Sequence, residues 1–148
     1  MAATKTREKE VIMRGVSILL LGAALVSCTA VPPAPVVRDA SQQATFMRLT
    51  GDKVPGPPIS CVPSYSQNDM SIIDGHTIAF RVGTGTVNVV TLGEGCGMMG
   101  VGGYALQTRT FGQGLCSGDV ATVVDPLNRT TVGSCAIGPI VPYVRPGS

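Results

Sequence analysis

Apolar and polar residues alternate along much of the second half of the chain, and this alternation predicts β-strands. Within residues 76–82 the apolar Ile78, Phe80 and Val82 fall on one face, and the apolar-rich residues 86–92 follow after a Gly83-Thr84-Gly85 turn. The Asp74-Gly75 dipeptide is a strong tight-turn signal, so we expect residues 71–73 to pair with the first of these strands. The pattern therefore indicates antiparallel strands joined by short turns.

Three further segments of the same character lie closer to the C-terminus. They are residues 104–110, 119–124 and 130–137, with a turn at residues 125–128 between the last two. No window of this region has a sustained apolar period near 3.6, and its many glycines and β-branched residues disfavour helix. We therefore predict an all-β domain over residues 59–148, a small antiparallel barrel or sandwich of about six strands, because closure removes exposed sheet edges.

An uncharged apolar run at residues 16–26 follows the basic Arg14 and leads into Leu25-Val26-Ser27-Cys28. The run is short for a permanent membrane span and has the length of the hydrophobic region of an export signal. The closing tetrad is similar to the bacterial lipobox, in which a cysteine receives lipid before the signal is removed. We therefore predict a lipoprotein signal peptide at residues 1–27 and lipidation of Cys28. The alternative is an ordinary secretory signal.

The first ten residues mix basic and acidic side chains, whereas Met13-Arg14-Gly15 alone would form a compact basic start of a signal. We therefore expect translation to begin at Met13. Thr29 follows the lipidated position, and the absence of Asp there indicates transfer to the outer membrane of a Gram-negative cell. Acyl chains, at about 0.8 kcal/mol for each buried methylene, would supply the membrane attachment.

The net charge depends on whether the signal is counted. The chain has 11 Lys and Arg and 9 Asp and Glu; residues 1–27 hold four of the former and two of the latter, so seven of each remain. A neutral domain without a basic run or a tryptophan has no electrostatic footprint for nucleic acid.

Prolines are frequent between Cys28 and the predicted strands. Residues 31–35 read Val-Pro-Pro-Ala-Pro, and proline returns at three positions in residues 55–58. Such a stretch favours extended polyproline conformations, so we predict a tether over residues 28–58. Phe46, Met47 and Leu49 could form one short helical turn or a docking contact within it.

Four cysteines remain once Cys28 is assigned to lipid, an even number in an oxidising compartment, and we predict two disulfides. Three pairings of these cysteines are possible, and the sequence does not choose among them. We favour the nested one, Cys61 with Cys135 and Cys96 with Cys116, because the first bridge would clip the two ends of the domain. Each bridge would contribute about 2–4 kcal/mol.

The glycine loop, residues 92–103, contains Gly95-x-Gly97-x-x-Gly100, the spacing of a dinucleotide-binding loop. That fingerprint places the pyrophosphate at the N-terminus of a following helix, and residues 101–104 start no helix. We therefore expect no nucleotide and interpret the loop as a tight connection around a disulfide-bonded Cys96.

Metal binding is a weaker interpretation of the same region. The four cysteines are dispersed singly, whereas structural zinc sites use close pairs. Cys96, Met98 and Met99 would offer soft ligands to Cu(I) if Cys96 were a free thiolate. Paired methionines more often fill gaps in a core, and we predict no metal and no cofactor.

Catalytic chemistry has few candidate residues. The single histidine, His76, lies two residues from Asp74, but no serine occupies a G-x-S-x-G elbow. The remaining carboxylates are scattered at turns, where they more often cap backbone groups than act as an acid–base pair. We therefore predict that the protein is not an enzyme.

The cysteines and their neighbours occur in a fixed order: Cys61, Cys96, Leu115-Cys116-Ser117-Gly118-Asp119-Val120 and Gly133-Ser134-Cys135-Ala136-Ile137-Gly138-Pro139-Ile140-Val141-Pro142. This order resembles an uncharacterised family of small exported proteobacterial proteins over residues 59–142. In that family a Leu-Cys-x-x-Asp segment precedes a strand and a Cys-x-Leu-Gly-x-Phe segment closes the domain. This chain has Ile137 and Ile140 where that pattern has Leu and Phe. The resemblance implies the domain and its disulfides and carries no activity.

Together these features predict a lipoprotein of the outer membrane, on its periplasmic side, with a structural or envelope-associated role. The alternative is a module that binds an envelope or foreign protein, by analogy with small lipoprotein barrels that inhibit lysozyme. Copper or redox handling is the third possibility and requires free thiols.

Overall fold

The computed structural model describes residues 36–109, residue 112 and residues 114–147. The predicted signal peptide and Cys28 lie outside the described residues. Among the described residues, no helix is long and apolar enough to cross a membrane. In chain order the elements are α1 (Ala40–Thr50), β1 (Val54–Pro55), β2 (Cys61–Pro63), a 3₁₀ turn (Ser64–Ser66), β3 (Met70–Asp74), β4 (Thr77–Val82), β5 (Thr86–Leu92), a second 3₁₀ turn (Gly97–Val101), β6 (Ala105–Arg109), β7 (Gly114–Cys116), β8 (Val120–Asp125) and β9 (Thr130–Val144).

Antiparallel pairing dominates the structure, and the prediction of a small all-β domain is confirmed. Six strands form one curled sheet in the order β3-β4-β5-β9-β8-β6, a half-barrel. The short β1 adds to β9, and β2 pairs with β7 in a separate two-stranded sheet. The predicted turns at Asp74-Gly75 and residues 83–85 connect β3, β4 and β5, and residues 126–129 connect β8 to β9.

Strand β9 is the central element because it serves two neighbours. Its first half pairs with β8, where Ala136 lies opposite Val120, and its second half pairs with β5, where Ile137 lies opposite Leu92. At 15 residues it is long enough for both ladders. The sequence analysis ended this strand at residue 137, seven residues short.

The two faces of β4 and β5 contact different partners, as the period of two along a strand requires. Ile78, Phe80 and Val90 belong to the larger apolar cluster on what we call the inner face. Ala79 and Val89 belong to a smaller cluster on the outer face. The buried members of the inner cluster are Val62, Ile78, Phe80, Val90, Leu92, Cys96, Met99, Leu115, Ala121, Val123, Cys135, Ile137 and Ile140.

Helix α1 covers the outer face. Asp39 caps its N-terminus: the Gln42 backbone N–H donates to Asp39 Oδ1 at 2.8 Å, and the Asp39 N–H donates to Gln42 Oε1 at 3.0 Å. Leu49 is buried against the outer cluster, and the Phe46 ring meets that of Tyr143 edge-on at a centroid distance of 5.8 Å. The helix is three turns long, where the sequence analysis expected one at most.

The predicted tether of residues 28–58 is therefore wrong for its second half, because the compact unit begins at Val37. After α1 the chain runs along β9: the Gly56 N–H donates to the Pro142 carbonyl at 2.7 Å, and the Ile59 N–H donates to the Ile140 carbonyl at 2.9 Å. The prolines of this segment leave its backbone extended. An extended backbone can pair along the edge of a sheet, as this one does with β9, as well as serve as a linker.

Candidate functional site

Two disulfides are present, as predicted, but the nested pairing is wrong. The structure joins Cys61 to Cys116 and Cys96 to Cys135. Cys61 and Cys116 are direct cross-strand partners in the β2–β7 sheet, so their side chains emerge side by side. The register of these two strands therefore decides that Cys61 bonds Cys116. Cys135 bonds Cys96.

The second bridge follows from the pairing of β5 with β9. Beyond that ladder the Gly93 N–H still donates to the Ala136 carbonyl at 2.9 Å, which brings the glycine loop against the start of β9. Cys96 is fully buried there, and Cys135 is 6 % exposed. The predicted disulfide bonding of Cys96 is thus confirmed, with a different partner.

The glycine loop uses its glycines for close approach of backbone to backbone. Gly95 has a φ of +91°, and a Cβ on it would collide with the Ser134 carbonyl oxygen. A Cβ on Gly100 would lie 2.7 Å from the backbone nitrogen of Gly75 in the β3–β4 turn. A 3₁₀ turn, Gly97–Val101, forms the second half of the motif, where a dinucleotide fold begins an α-helix. The spacing thus serves the packing of the loop between two other segments.

The two methionines of this loop have separate environments. Met99 is 1 % exposed and belongs to the inner cluster, whereas Met98 is partly exposed. The copper interpretation required a free thiolate at Cys96, and that sulfur is bonded to Cys135. Among the described residues, no group of three His, Cys, Asp or Glu side chains is placed to hold a metal ion.

Asp74 and His76, the residues considered for catalysis, lie at the β3–β4 turn, and Asp74 is 5 % exposed. Its Oδ2 accepts a hydrogen bond from Arg38 Nε at 2.8 Å, and its Oδ1 accepts one from the His76 backbone N–H at 2.7 Å. The Arg38 guanidinium also donates to Thr77 Oγ1 at 3.0 Å and lies over the Phe46 ring at 4.5 Å. The carboxylate therefore holds the start of α1 against the sheet.

Other carboxylates cap backbone groups, as the sequence indicated. Asp119 Oδ2 accepts from the Cys116 N–H at 2.8 Å. Asp125 Oδ1 accepts from the Leu127 N–H, and hydrogen bonds from Asn128 lower the pKa of Asp125 below its usual value. These contacts fix turns in the chain.

A cleft of about 400 Å³ lies where the C-terminal end of α1 meets the β4–β5 hairpin. We call it the cationic cleft, because four basic side chains line it from four separate segments: Arg48 of α1, Lys53 after α1, Arg81 of β4 and Arg145 after β9. Thr84 and Thr86 add polar groups from the hairpin, and Asp52 is the acidic residue that lines it.

Ion pairs position most of these cations. Both oxygens of Asp52 are engaged: Lys53 Nζ contacts Oδ1, and Arg145 Nε donates to Oδ2 at 2.8 Å. The hydrogen bond from Lys53, followed by that from Arg145, lowers the pKa of Asp52 to about 2. Arg81 Nη1 donates to Asp69 at 3.1 Å. Arg48 is exposed and forms no hydrogen bond or ion pair with the described part of the chain.

No short sequence motif encodes this cleft, so it was not predicted from the sequence. The four cations are isolated along the chain, and only the docking of α1 and the end of the β5–β9 ladder bring them together. The usable signal was the Asp39-x-x-Gln42 capping box, which marks a helix start and would have placed Arg48 in a last helical turn.

Comparison with protein-family models, with curated proteins and with solved structures finds no match to this chain. The resemblance in cysteine order therefore stays a prediction.

Proposed function

We propose that the protein is a lipid-anchored component of the bacterial envelope with a non-catalytic role, held at the periplasmic side of the outer membrane by acyl chains on Cys28. The observation that carries the proposal is the oxidation of the other four cysteines in two bridges. Disulfides persist in oxidising compartments such as the periplasm. Cys28 is then the fifth cysteine, at the end of an apolar run where a lipobox places it.

The start of the folded unit sharpens the proposal. Val37 lies nine residues after Cys28. An extended chain gains about 3.3–3.6 Å per residue, so the lipidated residue and the domain would be roughly 30 Å apart at most. The domain would work close to the membrane surface, because a linker of this length gives little reach.

The use of the carboxylates supports a non-catalytic role. Asp74 bonds Arg38, Asp119 bonds the Cys116 backbone and Asp125 bonds the turn after β8. Each of these acids is engaged in holding backbone or a helix in place. The cationic cleft offers donors for binding.

The test is the intact mass of the protein purified from the membrane fraction, with thiol alkylation before and after reduction. We expect acyl chains on the wild type, no alkylation without reductant and four alkylated cysteines after it. Cys28→Ala is expected to lack the acyl mass and, because lipid is added before the signal is removed, to keep the signal residues that precede position 28.

A matched control removes two other cysteines. The double variant Cys61→Ala with Cys116→Ala keeps Cys28 and is expected to stay acylated and membrane-bound. A wild-type protein without acyl mass, or a Cys28→Ala variant that still carries acyl mass or still loses its signal residues at position 28, would contradict the proposal.

A further inference from the structure

The cationic cleft concentrates the positive charge of an otherwise neutral chain. After residue 27 the chain has seven basic and seven acidic residues. Four of the seven basic residues line the cleft, against one acidic residue, Asp52. A concave surface of one sign raises the local concentration of oppositely charged ligands. The ligand suited to this surface is therefore an anion.

One lining residue, Asp52, holds two of the four cations in place. Asp52 is engaged on both oxygens, by Lys53 and Arg145. Because its pKa is lowered to about 2, this exposed carboxylate stays ionised, and both of its oxygens are engaged by side chains of the same chain. The Lys53 side chain is only 8 % exposed, so little of it is available to contact a ligand.

Two guanidinium groups of the cleft, carried by different elements, remain as ligands. Arg48 stands on α1, and Arg81 stands on β4, where its contact with Asp69 uses Nη1. Both side chains are exposed, and that of Arg81 is 50 % exposed. A guanidinium presents a planar fork of donors that matches the oxygens of phosphate better than an ammonium does. Thr84 and Thr86 of the β4–β5 hairpin also line the cleft.

We propose that the cationic cleft binds a phosphate-bearing anion, with Arg48 and Arg81 as its principal ligands. The phosphate can come from a lipid headgroup or from a soluble phosphate ester. The lipid source rests on the proposed anchoring through Cys28, which keeps the domain within reach of headgroups, whereas the soluble source does not.

The first arm of the test uses the full-length protein purified in a non-ionic detergent and titrated with glycerol 3-phosphate. Reaction of arginines with phenylglyoxal, mapped by mass spectrometry, is the readout. We expect the ligand to slow modification of Arg48 and Arg81 at least several-fold and to leave Arg109, an exposed arginine on β6, unchanged.

The second arm uses the same protein in vesicles of phosphatidylcholine with and without phosphatidylglycerol. Protection of Arg48 and Arg81 only in phosphatidylglycerol vesicles supports the lipid source. Protection only by glycerol 3-phosphate supports the soluble source, and protection in neither arm overturns the proposal.

Arginine variants test whether binding depends on the cleft or only on the total positive charge of the protein. Arg48→Gln and Arg81→Gln are each expected to weaken glycerol 3-phosphate binding about tenfold, the effect of losing one charged hydrogen bond. Arg109→Gln is the matched control and is expected to bind as the wild type does. Equal weakening by all three variants would overturn the assignment to the cleft.

The acyl mass of the same preparation distinguishes this proposal from the proposed function. Acylated protein that binds no phosphate overturns the cleft assignment alone. Phosphate binding by a protein without acyl chains overturns the lipid anchor alone.

Discussion

The two faces of strands β4 and β5 are stabilised in different ways. On the inner face, thirteen buried residues form one cluster that includes the Cys96–Cys135 bridge. On the outer face the buried cluster has five residues, four from the strands and Leu49 from α1 itself, and polar contacts complete the attachment of the helix. The Arg38–Asp74 pair lies near the start of the helix, and the cationic cleft lies at its end.

This difference separates what holds the fold together from what the fold presents to a ligand. Burial contributes about 25 cal/mol per Å² of apolar surface, so the larger inner cluster dominates the stability. The outer face depends more on a few ion pairs, and exposed pairs contribute little each. Substitutions on the inner face should therefore affect global unfolding, and those on the outer face should release α1 locally.

The largest expected effect is removal of the buried disulfide by Cys96→Ala with Cys135→Ala. The bridges close segments of 39 residues (Cys96–Cys135) and 55 residues (Cys61–Cys116), so chain entropy alone predicts about 4 kcal/mol for either bridge. Loss of two sulfurs from the core adds a cavity term of about 1–2 kcal/mol for the buried bridge only. Denaturant unfolding should show a loss of about 5–6 kcal/mol.

The other bridge provides the matched control for this measurement. Cys61 is exposed, so Cys61→Ala with Cys116→Ala should lose only the entropic part, about 4 kcal/mol. Equal losses for the two double variants would show that burial of Cys96 and Cys135 adds nothing.

The next largest effect concerns the glycine loop. Gly95→Ala combines a φ of +91° with a collision against the Ser134 carbonyl, and we expect a loss of about 2–4 kcal/mol. Gly97→Ala lies in the same motif, has open space around its Cβ position and should change stability by less than about 1 kcal/mol. Comparable losses from both in thermal unfolding would contradict the role of close backbone approach.

The inner face was the part of the fold that the sequence allowed us to predict. Alternation places Ile78 and Phe80 on one side of a strand, and the turn dipeptides mark where the strands end. These are local signals, and each is satisfied within one hairpin. The extension of β9 to Val144 escaped prediction, because Pro139 and Pro142 interrupt its pattern and only pairing with β5 keeps it extended.

The outer face and the cysteine pairing depend on contacts between distant segments. Prolines on both sides concealed α1, although Asp39 and Gln42 carry a capping box and Phe46 and Leu49 lie three apart. Pairing of Cys61 with Cys116 follows from the register of two three-residue strands, too short to leave a periodic signal. The cleft required the docking of α1 and the end of the β5–β9 ladder, and composition showed only a neutral chain.

A smaller effect is expected at the buried ion pair of the outer face. Arg38→Gln leaves Asp74, whose side chain is 6 % exposed, without its cation, and we expect a loss of about 1–3 kcal/mol. Hydrogen exchange should become faster in α1 and stay unchanged in β5 and β9. The matched control is Asp69→Asn, which removes an exposed pair to Arg81 and should cost less than about 1 kcal/mol. Faster exchange throughout the sheet in Arg38→Gln would contradict a local role.

The smallest effect is a pH dependence at the cationic cleft. The pKa of Asp52 is lowered from 3.8 to about 2 by Lys53 and then Arg145, so its ionised form is favoured in the folded state. The stability that it contributes is complete above about pH 4 and is lost as the pH falls toward 2. Asp52→Asn lacks this contribution at every pH.

The melting temperatures of wild type and Asp52→Asn should therefore differ at pH 7 and converge as the pH is lowered from 4 to 2. Asp39 and Asp125 also have lowered pKa values, but both proteins retain them, so their effects cancel in the comparison. A difference that stays constant between pH 7 and pH 2 would show that Asp52 acts through its shape and not its charge. Because Asp52 is exposed, we expect this difference in melting temperature to be much smaller than that caused by any inner-face substitution. That order follows if burial on the inner face dominates the stability.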